Sequence, residues 1–275
     1  MTYGEMYEGA VAELGSRFDA GQLFTHVSAK RVFHLSFLKD KACPEKQAEL
    51  FLTLVDRRRA GEPLQYLLGE WEFYGLPFKV GAGVLIPRQD TETLVDVALE
   101  KIREVERPEV LDLCSGSGCV AIALGHVRPD AVVTAVELSD PAFAYLRRNV
   151  DINHSMVSAI RKDLWEYTHP RAVDLLVSNP PYIPHEHIAS LQAEVRFEPR
   201  RALDGGVDGL DFYRAIVRLY QPQLAENGWL CMEVGVGQNG RVKAILEEHG
   251  FTGVGDTKDL GGVPRVVFGQ NAGRA

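Results

Sequence analysis

Val110-Leu111-Asp112-Leu113-Cys114-Ser115-Gly116-Ser117-Gly118-Cys119-Val120-Ala121 reads as a buried strand, a glycine-bearing turn and the opening of a helix. The apolar run through Leu113 has the near-continuous hydrophobicity of a strand covered on both faces. Gly116 and Gly118 permit backbone angles and a closeness of approach that a Cβ forbids. A helix that starts after such a turn points its free N–H groups at whatever occupies the turn. About 20 residues on, Glu137 closes the next apolar run, where a carboxylate can accept both hydroxyls of a ribose. Gly116, Gly118 and Ala121 also fit the dinucleotide fingerprint, so a nicotinamide-dependent enzyme is one reading of this stretch taken alone.

The same rhythm extends in both directions from the turn. Strand candidates lie at Val110-Leu113, Ala131-Val136, Val157-Ile160, Val173-Val177, Trp229-Val234 and Val263-Phe268, and helical stretches separate most of them. That alternation predicts an α/β fold built on a parallel sheet with covered faces. An amphipathic helix is expected over Thr91 to Val105, with Leu94, Val95, Ala98 and Ile102 on its apolar stripe.

Toward the N-terminus the signal changes to helices alone, giving a small helical domain over residues 1–70. Tyr7, Val11 and Leu14 form one stripe. Pro44 reads as the first residue of a helix that places Leu50, Leu54 and Val55 on one face and ends in Arg57-Arg58-Arg59, a solvated helix end. Residues 71–89 contain a β-hairpin around Gly75-Leu76-Pro77 and link that domain to the larger one at 90–275.

The fourth strand candidate runs into Asn179-Pro180-Pro181-Tyr182. Two prolines stop the strand and hold the chain extended just past its end. Ligands of open α/β sheets bind beyond the carboxyl ends of the strands, so these residues sit where chemistry is expected. The Asn179 oxygen and the Pro180 carbonyl offer two acceptors side by side, which suits a planar NH2 group, and the Tyr182 ring can stack on it. No dedicated general base accompanies them; His185 and His187, in the loop that follows, read as solvated. The interval from Ile183 to Gly209 is long and irregular, as a lid beside a site would be.

Composition narrows the functional classes. At 275 residues and 45% hydrophobic, the chain can fill two cores without a disulfide or metal staple. Its four cysteines, Cys43, Cys114, Cys119 and Cys231, form no Cys-x-x-Cys pair and fit thiols in a reducing cytoplasm, with no metal site. The N-terminal fifteen residues are acidic and amphipathic, and no stretch reaches the ~20 apolar residues of a membrane span. The net charge of −8 argues against a protein devoted to non-specific nucleic-acid binding.

Taken together, these motifs resemble those of the release-factor glutamine methyltransferases, the HemK/PrmC type. The likeness is carried by Gly83-Val84-Leu85-Ile86-Pro87-Arg88-Gln89-Asp90-Thr91-Glu92, by Leu111-Asp112-Leu113 with Gly116-Ser117-Gly118, and by Asn179-Pro180-Pro181-Tyr182. Phe197-Glu198-Pro199-Arg200-Arg201-Ala202-Leu203-Asp204-Gly205-Gly206, Asp208 to Tyr213 and Lys258-Asp259-Leu260 match as well. The resemblance implies a Rossmann-like, seven-stranded methyltransferase sheet, S-adenosylmethionine as cofactor and a peptide-chain release factor as protein substrate, with no stable nucleic-acid partner. It implies that Cys114, Ser115, Gly116, Ser117 and Gly118 line the cofactor, that Glu137 holds its ribose, and that Asp163 and Leu164 border its adenine. It implies that Asn179, Pro180, Pro181 and Tyr182 clasp the glutamine. The adenine-specific DNA methyltransferases share the Asn-Pro-Pro-Tyr motif, which makes adenine methylation the alternative. Two stretches depart from the family pattern: Cys114-Ser115 stands where Gly-Thr is usual, and Gly261-Gly262-Val263-Pro264-Arg265 replaces a Gly-Arg-Asp-Arg type of ending.

Overall fold

Capping chemistry starts the first two helices. The Thr2 hydroxyl accepts from the Glu5 N–H (3.2 Å) while the Thr2 N–H donates to Glu5 Oε2 (2.8 Å), a reciprocal box that opens α1 (Tyr3–Leu14). Ser16 caps α2 (Arg17–Ser28) in the same sense. The computed structural model of the chain describes residues 1–273, so the last two positions of the expected 90–275 span lie outside the described residues. They group into two compact units, Met1–Glu70 with Gln192–Phe197, and Trp71–Leu191 with Glu198 onward.

The first unit is helical. After α2 come α3 (Leu35–Leu38), α4 (Glu45–Arg59) and α5 (Leu64–Leu68), around a core of Tyr3, Met6, Tyr7, Leu23, Phe24 and Phe51. Two helical faces differ from those expected. In α1 the buried face is Tyr3, Met6, Tyr7 and Ala10, with Val11 and Leu14 only bordering it. In α4 Leu50 is half exposed and Phe51 is fully buried beside Leu54 and Val55. The run Leu50 to Val55 is apolar nearly all round, so periodicity alone leaves the facing side open, and burial of the larger aromatic surface decides it. Pro44 is the cap residue, one position before the helix. Arg57 and Arg59 are solvated as expected. Arg58 is not: it is half-buried, donating to Asp19 Oδ2 (2.6 Å) and to Glu194 Oε1 (2.6 Å) of the returning segment. Part of the expected lid interval therefore belongs to the helical unit.

The second unit begins with a hairpin, β1 (Glu70–Phe73) and β2 (Leu76–Lys79). Its turn is Tyr74-Gly75, both with positive φ (53° and 73°), the mirror-image turn that matches strand twist; Leu76 and Pro77 are already in the second strand. There follow α6 (Glu92–Lys101), β3 (Glu109–Leu113), α7 (Cys119–Val127), β4 (Val132–Glu137), α8 (Asp140–Ile152), β5 (Ser158–Arg161), β6 (Val173–Ser178), α9 (Asp211–Tyr220), β7 (Leu224–Glu233), α10 (Asn239–Glu248), β8 (Phe251–Lys258) and β9 (Pro264–Asn271).

The sheet order is β5-β4-β3-β6-β7-β9-β8. The first five strands are mutually parallel, whereas β9 runs antiparallel to β7 and β8 antiparallel to β9. The sheet is thus mixed, and its seventh strand, β8, had no strand signal. As an edge strand with mostly half-exposed or exposed residues, interrupted by Gly253 and Gly255, β8 lacks the apolar run or clean alternation that reveals a central strand. Alternate residues of each central strand serve opposite cores: Val110 joins the side chains of α6 and α7, and Leu111 those of α9 and α10.

Asn149 of α8, fully buried, ties this unit together. Its Oδ1 accepts from the Lys79 N–H (2.7 Å), and its Nδ2 donates to the carbonyls of Lys79 (3.1 Å) and Ser117 (2.9 Å). One amide so joins β2, α8 and the glycine turn. Replacing it with a near-isosteric apolar side chain, Asn149→Leu, removes three bonds to backbone groups, one of them buried and two part-buried, an expected cost of about 2–4 kcal/mol. Urea unfolding reads this as a lower midpoint at unchanged slope; an unaltered midpoint would show that the three bonds contribute little.

Candidate functional site

Parallel pairing of β3 with β6 places Leu113 opposite Ser178, and the Ser178 hydroxyl donates to the Leu113 carbonyl (2.7 Å). The next residues, Cys114 and Asn179, therefore leave the sheet side by side. Strand order reverses between these two strands, which opens a crevice at their carboxyl ends. A cavity fills it. Of the residues singled out in the sequence, Cys114, Ser115, Gly116, Ser117, Glu137, Asp163, Leu164, Asn179 and Pro181 line its wall, together with Asp112, Trp165, Arg88, Arg201 and Phe212. Gly118, Pro180 and Tyr182 lie outside the wall.

The turn is held from the neighbouring strand. Glu137, at the end of β4, accepts from the Gly116 N–H through Oε2 (2.8 Å) and from the Ser139 N–H through Oε1 (2.7 Å), and burial raises its carboxyl above the ordinary range. Gly118 answers a packing need as well as its positive φ of 82°: a Cβ there would stand 2.3 Å from Leu146 Cδ1, on α8. Cys114 also has a left-handed backbone, φ 59°, with no glycine to relax it. Glycine is the unstrained residue at that angle; the cysteine costs on the order of 1 kcal/mol. Burial pushes its thiol well above the usual value, so it is a poor nucleophile.

Asp112 is the electrostatic anomaly of the crevice. It is buried, its Oδ2 has no hydrogen-bond partner among the described residues, and burial lifts its carboxyl to about 8, with the Glu137 charge adding to the effect. An orphaned acid oxygen in a cavity wall asks for a hydrogen-bond donor from a ligand. Trp165 and Phe212 pack edge to face at 5.0 Å along the same wall.

The Asn-Pro-Pro-Tyr segment is braced from beneath. Asn179 Nδ2 donates to Thr91 Oγ1 (3.2 Å), Thr91 Oγ1 donates to Glu233 Oε2 (2.5 Å), and the Tyr182 hydroxyl donates to Glu233 Oε1 (3.3 Å). The Tyr182 hydroxyl, to which sequence reasoning assigned no task, is thus tied to a buried carboxyl. Gly205 packs against this segment so closely that a Cβ would lie 2.7 Å from Tyr182 Cα and 2.8 Å from the Pro181 carbonyl oxygen. Ile183 bridges to the chain on both sides of Asp204: its N–H donates to the Leu203 carbonyl and its carbonyl accepts from the Gly205 N–H, both 2.9 Å. His185 and His187 are solvated, as expected; His185 rests on Asp204 (2.9 Å).

Sequence reasoning missed Thr91, Glu233, Trp165 and Phe212 as parts of the site. Glu233 carried one usable signal: like Glu137, it is a carboxylate at the end of an apolar strand run. Trp165 and Phe212 carried none, since their pairing depends on how α9 packs.

A doubly wound sheet with an acid-tipped second strand and a glycine turn at its switch point is the architecture of the class I methyltransferases. Residues 89–203 match the Methyltransferase small domain family. The fold is similar to the hMettl16 catalytic domain solved with a MAT2A 3'UTR hairpin, with a TM-score of 0.59 and 17% identity over 84% of this chain and 83% of that one. Residues 12–69 match the PrmC N-terminal domain. The chain is 46% identical to the release factor glutamine methyltransferase of Geobacter sulfurreducens, over 79% of this chain and 76% of that protein. It is 34% identical to that of Thermodesulfovibrio yellowstonii, over 92% of both. The chain belongs to the release factor glutamine methyltransferase family.

The Gly205 contact yields a direct test. In Gly205→Ala the new methyl meets backbone atoms, which cannot swing aside as a side-chain tip can, so the Tyr182 segment must shift. Displacements near 1 Å at a reacting centre cost up to ~10²-fold in rate, and methyl transfer by this variant is expected to drop at least about tenfold. Unchanged turnover would mean that the placement of Pro181 and Tyr182 does not matter to the chemistry.

Proposed function

We propose that this enzyme transfers the methyl group of S-adenosylmethionine to the side-chain amide nitrogen of the glutamine in the Gly-Gly-Gln motif of peptide-chain release factors. The observation that carries the reading is the orientation of Asn179. Its NH2 end is committed to Thr91, which leaves its Oδ1 as an acceptor in the wall of a cavity shared with the glycine turn.

The cavity suits the cofactor better than a dinucleotide. The unpartnered Asp112 oxygen and the neighbouring Glu137 match a ligand bearing a cationic amino group and ribose hydroxyls, whereas a pyrophosphate brings no hydrogen for these oxygens to accept and disfavours their ionised forms. In this proposal Cys114, Ser115, Gly116, Ser117 and Gly118 line the cofactor, Glu137 accepts from its ribose, and Asp163 and Leu164 border its adenine. When bound, the cofactor supplies a methyl group activated by its sulfonium.

The chain's own task is to make a poor nucleophile competent. An amide nitrogen has its lone pair delocalised into the carbonyl, and its hydrogens become more acidic as the nitrogen gains its fourth bond. Asn179 Oδ1 and the Pro180 carbonyl accept those hydrogens, and both bonds strengthen toward the transition state, which lowers the barrier rather than only the ground state. Pro181 and Tyr182 keep the segment rigid and flank the planar amide. With both histidines solvated, the excess proton leaves to water.

Residues 1–70 are proposed as the domain that recognises the release factor, 71–89 as the linker and 90–275 as the catalytic domain. A cytoplasmic setting follows from the proposed substrate, and among the described residues no helix is long and apolar enough to cross a membrane.

Transfer of labelled methyl from S-adenosylmethionine tests the proposal, with an intact release factor, the same factor with its motif glutamine replaced, and single-stranded DNA as acceptors. Label on the intact factor alone is expected. Label on DNA would move the enzyme to adenine chemistry, and label on the replaced factor would place the methyl elsewhere. Asn179→Ala is expected to lose about 10²–10³ in kcat, as removal of one aimed polar group at a reacting centre does, at unchanged cofactor affinity.

A further inference from the structure

Glu233 ends β7 with its carboxyl under Asn179, only 2% exposed, and Thr91, between them, is equally buried. A threonine hydroxyl has one hydrogen to give, and its direction fixes what the oxygen can offer elsewhere. Here Glu233 Oε2 takes that hydrogen at 2.5 Å, so Thr91 presents only lone pairs to Asn179. Asn179 must then turn its NH2 toward Thr91, at 3.2 Å, and its oxygen toward the cavity. The two ends of an amide are nearly identical in shape, and only such a network tells them apart.

We infer that Glu233 is a positioning residue that acts through Thr91 to set which end of the Asn179 amide meets the substrate. The inference deepens the proposed function and rests on its assignment of Asn179 as an acceptor. With a hydrogen donor in place of the Glu233 carboxylate, the Thr91 hydroxyl is free to turn and donate to Asn179 Oδ1. The amide then flips and presents NH2 to a substrate that is itself an NH2 group. The clasp becomes repulsive without any loss of packing.

The network also makes the site proton-sensitive. The titratable and charged groups about Glu233 are Tyr182, Tyr213 (whose hydroxyl donates to the Glu233 carbonyl at 2.9 Å), Asp90 beside Thr91, Cys119, and Arg265 of β9. Arg265 is itself shared with Asp90 (3.1 Å) and Asp259 (3.0 Å). Burial lifts the Glu233 carboxyl to about 7, against the pull of Thr91, Arg265 and Tyr182. A proton gained below that point turns the acceptor into a donor, so kcat falls on the acid side. Stability runs the other way: a carboxyl raised on folding contributes stability below its unfolded pKa that is lost as pH rises through the folded value. Between its unfolded value near 4.5 and about 7, this carboxyl's contribution to stability falls while turnover rises, a divergence that a merely structural carboxyl would not produce.

The test uses Glu233→Gln, Thr91→Val and the conservative Thr91→Ser. Glu233→Gln is expected to lower kcat for release-factor methylation at pH 8 about 10²-fold, the scale for a misdirected polar group, with cofactor affinity retained and Tm equal or higher. Thr91→Val should match it, Thr91→Ser should return to near wild-type rate, and the acid limb near pH 7 should vanish in Glu233→Gln. Wild-type kcat in Glu233→Gln, or a loss of kcat that tracks a loss of Tm, would overturn the inference. A second readout needs no substrate: the Asn179 side-chain amide resonances of 15N-labelled protein, assigned with Asn179→Ala, should shift with a midpoint near pH 7 in wild type and not in Glu233→Gln. No such shift would overturn the inference even if release-factor methylation holds. A wild-type chain that shows the shift but methylates no release factor would overturn the proposed function instead.

Discussion

Everything at this site depends on the register of two parallel strands. Had β3 and β6 paired one residue out of step, their side chains would exchange cores, and Cys114 and Asn179 would no longer leave the sheet together. The register is held by burial on both faces, with Leu111, Leu113 and Leu176 in one core and Val110, Leu175 and Val177 in the other. The buried bond from Ser178 to Leu113 adds a polar lock at the last pair before the loops diverge. The rest follows from that junction: a glycine turn on one side, an asparagine amide on the other, and a cavity between.

That junction holds three carboxyls, Asp112 and Glu233 buried and Glu137 half-buried, each with its pKa raised by desolvation. Burying them costs stability, and a fold selected for stability alone would replace them with apolar groups. Each is instead placed for a different task. Glu137 braces the turn through two backbone N–H groups, Asp112 keeps an oxygen unpartnered in the cavity wall, and Glu233 orients the hydroxyl that orients an amide. The strained backbone of Cys114 adds to the same concentration of unfavourable terms.

Much of this was legible in the chain itself, because it rests on local signals. The central strands are uninterrupted apolar runs, Gly116 and Gly118 mark the turn, and Asn179-Pro180-Pro181-Tyr182 announces a rigid segment past a strand end. What escaped was decided at long range. The edge strand β8 has too little burial to leave a pattern, and the choice of Phe51 over Leu50 was made by a three-dimensional core. Thr91 and Glu233 meet although 142 positions apart, and nothing in either neighbourhood names the other. The left-handed angle at Cys114 was hidden because cysteine, unlike glycine, does not advertise it.

The most direct measurement is a crystal structure of the enzyme with S-adenosylhomocysteine and a glutamine-bearing peptide cut from the release-factor motif. The proposed clasp places the glutamine amide against Asn179 Oδ1 and the Pro180 carbonyl, the ribose on Glu137, and the Asn179 NH2 still on Thr91. A glutamine seated away from Asn179, or an Asn179 whose NH2 faces the peptide, would contradict it.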